Sequence, residues 1–440
     1  MKIEQLYTNC LAQGAYFIES DGEAAVIDPL REIDNYLQLA EHTNSEIKYI
    51  FETHFHADFV SGHISLAAAT GATIVYGPGA ATKFASYSGH DNEVFEVGQL
   101  QIKLLHTPGH TLESCCYLLI NENGDPTAIF TGDTLFIGDV GRPDLAQQPV
   151  VNLSQENLAG MLYDSLREKI IPLPNSICVY PAHGAGSACG KNLSKETWDT
   201  LGNQKKVNYA LNTRLSRENF VTLLTADLKP APAYFPMNVR LNSEGYSEPV
   251  TVQAADTTIL QNKNLTILDT RHSDAFAKGH IPGAINIGLN GNFAPWVGAL
   301  LPYDRPIVLV TDQGREQETA TRLARIGYDD IVGYLSGNEK HTCRVNSVTA
   351  EEFFLLDQKK LNIVDVRSEA EYRAGALSGA LNWPLSNFQE FKNLPQDGET
   401  YYVYCAGGYR SMIYISLLNS SRNLNLINIE GGYTALKSKL

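Results

Sequence analysis

Thr53-His54-Phe55-His56-Ala57-Asp58-Phe59-Val60-Ser61-Gly62-His63 follows directly on the apolar run Ile47-Lys48-Tyr49-Ile50-Phe51. A short β-branched and aromatic run that ends in a polar loop reads as a strand, and the loop at its end carries side chains that the sheet holds rigid. Three further segments repeat the placement: Leu104-Leu105-His106-Thr107-Pro108-Gly109-His110-Thr111, Ala128-Ile129-Phe130-Thr131-Gly132-Asp133-Thr134 and Val179-Tyr180-Pro181-Ala182-His183-Gly184. A single histidine at a strand end is more often a hydrogen-bonded loop residue than a ligand. Four such ends in one domain, one of them His-x-His-x-Asp, point to a metal centre. Imidazole and carboxylate without thiolate suit zinc, iron or manganese. His42, His63, His90 and His106 lack this context and read as ordinary loop or core histidines.

Working outward, Ala15 to Glu19, Ala24 to Asp28, Ala72 to Tyr76, Gln101 to Leu105 and Ile177 to Tyr180 are further short apolar runs between helical stretches, a layered α/β pattern. Three prolines within Leu228-Lys229-Pro230-Ala231-Pro232-Ala233-Tyr234-Phe235-Pro236 interrupt helix and sheet alike and mark a linker. Beyond it the chain repeats itself. Leu265-Thr266-Ile267-Leu268-Asp269-Thr270-Arg271 matches Leu361-Asn362-Ile363-Val364-Asp365-Val366-Arg367, Gly279 to Asn286 matches Gly375 to Asn382, and Asp312 falls where Cys405 does, at offsets of 96, 96 and 93 positions. Such spacing is a duplicated domain; solenoid arrays use shorter units. A chain of 440 residues exceeds what one core supports, and three domains satisfy it.

The second copy carries its own chemistry. Tyr401-Tyr402-Val403-Tyr404-Cys405-Ala406-Gly407-Gly408-Tyr409-Arg410-Ser411 sets a cysteine at the end of an apolar strand, then a tight loop, then a helix. Converging backbone N–H groups and the positive helix end are expected to lower the thiol pKa and stabilise a thiolate or persulfide. Asp312, at the equivalent place in the first copy, cannot carry sulfur, so that copy is expected to be silent, a spacer or docking domain. The seven cysteines lack paired spacings and do not form a disulfide framework. Cys10, Cys115, Cys116, Cys178 and Cys343 read as core residues.

The net charge of −15 excludes nucleic acid or an anionic lipid surface as the main partner. No apolar run approaches a membrane span, and Met1-Lys2-Ile3-Glu4-Gln5-Leu6-Tyr7 lacks the core of a signal peptide, so a cytoplasmic protein is expected.

The His-x-His-x-Asp loop, Thr107-Pro108-Gly109-His110-Thr111, Thr131-Gly132-Asp133 and the late His183 together resemble the metallo-β-lactamase superfamily, over about residues 1–200. Members that hydrolyse thioesters carry His-x-His-x-Asp-His, whose last pair binds a second metal. Here Phe59 takes the final position, so the second site is expected to be disabled. The persulfide dioxygenases of the superfamily use a single iron. Carried across position by position, that resemblance implies one Fe(II) per chain on His54, His110 and Asp133, with open positions for substrate and O2. It leaves His56, Asp58 and His183 to orient ligands or water. Gly141-Arg142-Pro143-Asp144 is similar to the dioxygenases' Gly-Arg-x-Asp segment: Arg142 either braces the site or meets an anionic substrate, or it is a surface salt bridge. Glutathione-using relatives carry Asp-Tyr after the late histidine, whereas this chain has Gly184-Ala185-Gly186-Ser187-Ala188-Cys189, which argues against glutathione. Cys189 is either a sulfur contact near the metal or a small residue packed under a loop.

The duplicated domains resemble rhodaneses, the sulfurtransferases, through Asp365-Val366-Arg367, Gly375 to Asn382, the Cys405 loop and Glu430-Gly431-Gly432. Cysteine phosphatases place arginine six positions after the cysteine. Arg410 comes five after, a shorter loop that fits sulfur better than phosphate. The resemblance implies Cys405 and Arg410 as catalytic residues, with Ala406, Gly407, Gly408 and Tyr409 around the substrate.

The expected architecture is therefore a metallo-β-lactamase αββα sandwich at 1–235, an inactive rhodanese-like domain at 245–343 and an active one at 344–440, both with central parallel sheets. This order resembles bacterial persulfide dioxygenase–sulfurtransferase fusions that detoxify sulfide. It implies oxidation of a low-molecular-weight persulfide by O2 to sulfite, conversion of sulfite and persulfide to thiosulfate, and a homo-oligomer. The alternative is a thioester hydrolase of the glyoxalase II type with a rhodanese sulfur-carrier module.

Overall fold

Along strand Cys115–Ile120, Cys115, Tyr117 and Leu119 alternate with Cys116 and Leu118, and all five are buried. A strand that is apolar on both faces must lie between two packed layers. In the computed structural model, which describes residues 1–145, 153–228, 230–247, 251–336, 342–422 and 424–439, that is where it lies. The first set packs with Tyr16, Ile18, Ile27, Phe51 and Phe130 between two sheets. The second packs with Leu105, Ile129 and Val179 against Leu162 of helix Gln155–Ser165 and Phe220 of helix Arg217–Thr225. On the far side, Phe17, Val26 and Ile50 meet Tyr36 of helix Asp34–Thr43 and Leu66 of helix His63–Thr70. The layers run helix, sheet, sheet, helix. Each fully buried Val, Leu, Ile or Phe contributes about 1.5–3 kcal/mol, so three apolar layers are ample to hold loops that carry polar groups.

The first sheet runs Lys2–Thr8, Gln13–Ser20, Glu23–Ile27, Glu46–Phe51, Thr73–Tyr76, Tyr87–Ser88 in spatial order. The second runs Asp199–Thr200, Cys178–Pro181, Pro126–Gly132, Cys115–Ile120, Leu100–His106, Val94–Val97. Every apolar run read as a strand in this region is one. Cys115 and Cys116 are core residues as expected, whereas Cys10, Cys178 and Cys343 are only half-buried.

The chain divides into two compact units, Met1–Glu248 with Ala324–Gly327 and Pro249–Leu323 with Tyr328–Leu440. The proline-rich segment, of which Lys229 lies outside the described residues, does not end the first unit. Helix Phe235–Glu244, starting with Pro236 in its first turn, continues it. The reason is Asn242: its Nδ2 donates to the carbonyls of His56 (2.7 Å) and Phe59 (2.8 Å), and its Oδ1 accepts from the Ser61 N–H (2.9 Å). The helix is thus fastened to the His-x-His-x-Asp loop.

In the second unit both copies form parallel sheets, in the orders Ile285–Asn286, Thr266–Asp269, Ile307–Thr311, Ile331–Ser336 and Asn346–Val348, Asn425–Ile429, Thr400–Tyr404, Asn362–Asp365, Leu381–Asn382. The repeated letters make the same clamp twice. Arg271 Nη2 donates to Asp269 Oδ2 (2.5 Å) and Gly279 O (3.0 Å), and Arg367 Nη2 donates to Asp365 Oδ2 (2.6 Å) and Gly375 O (2.7 Å). Asn286 and Asn382 then close the turn, each Nδ2 donating to the backbone carbonyls of the clamp's own aspartate and arginine. Among the described residues no helix is long and apolar enough to cross a membrane.

Asn242→Ala leaves two buried carbonyls and one N–H unpaired. At about 1–3 kcal/mol for each orphaned group, less what water recovers, we expect the first unit to lose roughly 2–4 kcal/mol. A thermal unfolding trace in which its transition does not move down would contradict this role.

Candidate metal centre and thiol loop

The carboxyl ends of four strands deliver the candidate ligands: His54, His56 and Asp58 after Glu46–Phe51, His110 after Leu100–His106, Asp133 after Pro126–Gly132, and His183 after Cys178–Pro181. All six are buried. Donor atoms of His54, His110 and Asp133 lie within 4.8 Å of one another. Asp133 Oδ2 is 3.3 Å from His110 Nε2 and 3.9 Å from His54 Nε2, and Oδ1 is 3.5 Å from His183 Nε2.

Backbone and hydroxyl groups fix which ring nitrogen faces inward. His110 Nδ1 lies 2.8 Å from Arg142 O, His54 Nδ1 3.0 Å from Thr53 Oγ1, and His183 Nδ1 3.3 Å from Ala12 O. With Nδ1 as the N–H donor in each, Nε2 is left as a lone pair aimed at Asp133. Thr53 in turn donates from Oγ1 to Asp28 Oδ2 at 2.9 Å. Close approach of the loops needs glycine. Gly132 sits at φ +51, where a Cβ would come within 2.5 Å of Thr53 Oγ1, and a Cβ on Gly141 would lie 2.3 Å from Asp133 O.

Both carboxylate oxygens of Asp133 and Nε2 of His183 are buried without a hydrogen-bond partner among the described residues. An ionised carboxylate left so costs several kcal/mol unless a cation meets it. Burial, then the imidazoles of His56, His110 and His183, hold His54 well below the ordinary histidine range, so it too is a neutral lone-pair donor. The donor set fits a metal ion.

His56, Asp58 and His183 form a second group within 4.8 Å. Phe59 lies tilted over His56 with ring centroids 4.3 Å apart, putting an apolar ring beside that group. The His56 Nε2 is 3.0 Å from Asp28 Oδ1 and 3.6 Å from Glu52 Oε2, while its Nδ1 is buried without a hydrogen-bond partner among the described residues. Burial opposes its charge, but Asp28 beside it outweighs burial and pushes the His56 imidazole up to about 9.

Asp28 and Glu52 are functional neighbours that the sequence reading does not contain. Their signal is the one that marks Asp133, an acid at the end of an apolar strand. Glu52 Oε1 is 2.5 Å from Ser61 Oγ, which is 2.9 Å from Pro29 O. A serine hydroxyl has one proton, so a protonated Glu52 donating to Ser61, with Ser61 donating to Pro29 O, satisfies both contacts. Burial, then Asp28, pushes the Glu52 carboxyl well above the usual range, in agreement.

Arg142 braces the site. It is buried, its Nε and Nη2 grip Asp144 at 2.6 and 2.7 Å, its Nη1 donates to Ala188 O at 3.3 Å, and its own carbonyl orients His110. It is not a surface salt bridge. Cys189 is buried beneath its loop, and its Sγ also lies within 4.8 Å of Asp133 and His183 donor atoms. Burial, reinforced by Asp58 and Asp133, pushes its thiol well up.

In the last copy Cys405 ends strand Thr400–Tyr404 and is buried, its Sγ accepting from the Gly408 N–H at 3.1 Å. Gly408 turns the loop at φ +103 into helix Tyr409–Asn419. Gly432, at φ +56, lets the chain pass where a Cβ would be 2.4 Å from Cys405 O, and the Tyr433 and Thr434 N–H groups bond the carbonyls of Cys405 and Ala406. Gly407 is exposed and Tyr409 reaches the first copy, its hydroxyl donating to Gly288 O at 2.9 Å. Arg410 does not point a free charge at the sulfur. Both Nη atoms bond Glu371 at 2.7 Å, and this pairing holds the Glu371 carboxyl down to about 2.

Residues 9–183 match the metallo-beta-lactamase superfamily, and residues 253–338 and 354–439 each match the rhodanese-like domain. The chain is 28% identical over 243 residues to a probable hydroxyacylglutathione hydrolase of Schizosaccharomyces pombe, covering 54% of this chain and 89% of that protein. It is equally 28% identical over 228 residues to a mitochondrial persulfide dioxygenase of Bos taurus, covering 50% and 78%. A crystal structure of a metallo-beta-lactamase from Staphylococcus aureus subsp. aureus COL aligns with 34% identity and a TM-score of 0.67, over 76% of this chain and 98% of its own.

Asp133→Ala removes the carboxylate that the three imidazoles share. We expect metal content after purification, measured by mass spectrometry of the metals, to fall at least tenfold with the fold retained; normal occupancy would take Asp133 out of the ligand set.

Proposed function

Because the chain belongs to the metallo-beta-lactamase superfamily and carries two rhodanese-like domains behind that fold, we propose that it oxidises low-molecular-weight persulfides with O2 at the first site and forms thiosulfate at the second. Identity to the two relatives is the same, so it does not choose between their chemistries. The observation that carries the reading is the pairing of a buried two-histidine, one-carboxylate donor set, whose carboxylate oxygens have no hydrogen-bond partner among the described residues, with a loop built to hold a sulfur atom on the same chain.

His54, His110 and Asp133 would hold Fe(II), which supplies open positions where a sulfur ligand and O2 meet. The chain's own groups do the rest. Arg142, through its carbonyl and its grip on Ala188 and Asp144, keeps His110 turned and the loop before Cys189 in place. Phe59, Phe136 and the inner strands keep bulk water from the ligand cluster. In net balance, R–S–SH, O2 and water give R–SH and sulfurous acid, which ionises to sulfite. Cys405 then takes the terminal sulfur of a second persulfide and passes it to sulfite, regenerating the thiolate and releasing thiosulfate. The Gly408 N–H stabilises the sulfur anion at each stage. The partners are small molecules: persulfides, O2 and sulfite.

The group of His56, Asp58 and His183 favours a second reading, a thioester hydrolase of the glyoxalase II type with two metal ions and a hydroxide nucleophile. Against it stands Phe59, an apolar ring beside that group.

Cys405→Ser separates the two halves. O2 uptake with persulfide should continue, while the product changes from thiosulfate to sulfite. Unchanged thiosulfate output, quantified by chromatography of the anions, would contradict the role of Cys405.

A further inference from the structure

The first rhodanese-like copy lacks a nucleophile yet keeps the loop that would hold one. Asp312 follows strand Ile307–Thr311 as Cys405 follows Thr400–Tyr404, and Arg315 precedes helix Glu316–Ala324. Within the second unit both loops border one cleft of about 460 Å³, with Asp312, Arg315 and Trp296 on one side and Gly407, Tyr409 and Arg410 on the other. Tyr409 ties the two sides. Its hydroxyl bonds Gly288 O, and its ring lies so near Gly291 that a Cβ there would be 2.4 Å away. The volume is that of a site for a small organic molecule, many times what sulfite needs.

The charges of the cleft decide what fits. Arg410 is paired with Glu371, and Arg315 bonds Glu318 at 2.8 and 3.0 Å, a carboxylate it shares with Arg322. The carboxylate of Asp312 is exposed and has no hydrogen-bond or ion-pair partner among the described residues. A carboxylate with no direct partner, beside guanidinium groups already bonded to carboxylates, offers a place for an ammonium group, while the remaining guanidinium N–H groups can still meet a carboxylate, so the cleft fits a zwitterion.

We propose that the silent copy is the recognition wall of the sulfurtransferase: Asp312 binds the ammonium group of an amine-bearing low-molecular-weight persulfide, whose terminal sulfur passes to Cys405. This rests on the sulfur-carrying role of Cys405 set out above. In the transfer the Cys405 thiolate attacks the terminal sulfur of R–S–SH. The Cys405 S–S bond forms as the carrier's S–S bond breaks, the proton stays on the transferred sulfur, and R–S⁻ leaves. No further oxidant or reductant is needed. Asp312 acts on the carrier, away from the reacting sulfur atoms, and so is a specificity residue; the copy is neither a spacer nor an inert docking domain.

The test is the rate at which full-length protein gains one sulfur on Cys405, followed by intact mass and peptide mapping after mixing with cysteine persulfide or with 3-mercaptopropionate persulfide, which lacks the amine. We expect the ratio of the two rates to fall about five- to tenfold in Asp312→Asn and further in Asp312→Lys, and to be retained in Asp312→Glu. The same ratio in all four proteins would overturn the recognition role and leave Cys405 as a carrier. No gain of sulfur by the unaltered protein from either probe would overturn the carrier reading itself, and the proposal with it.

Discussion

Asp133 is a buried carboxylate whose two oxygens have no hydrogen-bond partner among the described residues, set among imidazoles whose lone pairs are turned toward it. A carboxylate buried in this way is costly, and a cation bound among these donors relieves the cost. Much of the first unit serves to hold this tension. Two sheets bring four strand ends to one place, glycines at 132 and 141 let the loops approach, Arg142 fastens the loop before Cys189 and Asn242 the loop of His56 to Ser61. The apolar layers supply the free energy that makes such a polar cluster tolerable.

A different solution holds the second chemistry. Cys405 needs an anion-stabilising loop and no metal, and a parallel sheet feeding a tight turn into a helix provides it. Duplication gave the chain two such loops, of which one has a nucleophile. Both border one cleft, in which the proposal gives Asp312 of the first copy a recognition task. The two-site reading joins these parts by a shared currency, sulfane sulfur, which the first site oxidises and the second transfers.

Much of this was legible in the residues because strands and site loops are local in sequence. His54, His110, Asp133 and His183 each stand at the end of an apolar run, and Cys405 stands at the start of its own glycine turn. What was not legible depends on long-range contact. Asn242 holds a loop 186 residues earlier in the chain, and nothing in Phe235–Glu244 announces it; the prolines before that helix read instead as a boundary. Asp28 and Glu52 carry the same strand-end signal as Asp133, but an isolated acid in that position is commonly solvated, and only the fold shows both buried against His56. Arg142 could brace the site, meet an anionic substrate or form a surface salt bridge, and its burial with its bonds to Ala188 and Asp144 removes the last. For Arg410 the sequence puts positive charge beside the sulfur, whereas Glu371, 39 residues earlier, takes up that charge.

The central claim is that the orphaned carboxylate and its two histidines hold one iron that serves O2-dependent persulfide oxidation. The most direct measurement is simultaneous metal analysis and oxygen-electrode recording on the unaltered protein supplied with a small persulfide. The account predicts about one iron per chain and one O2 consumed for each sulfur oxidised. Two metal ions per chain, no O2 uptake and cleavage of a glutathione thioester would contradict it.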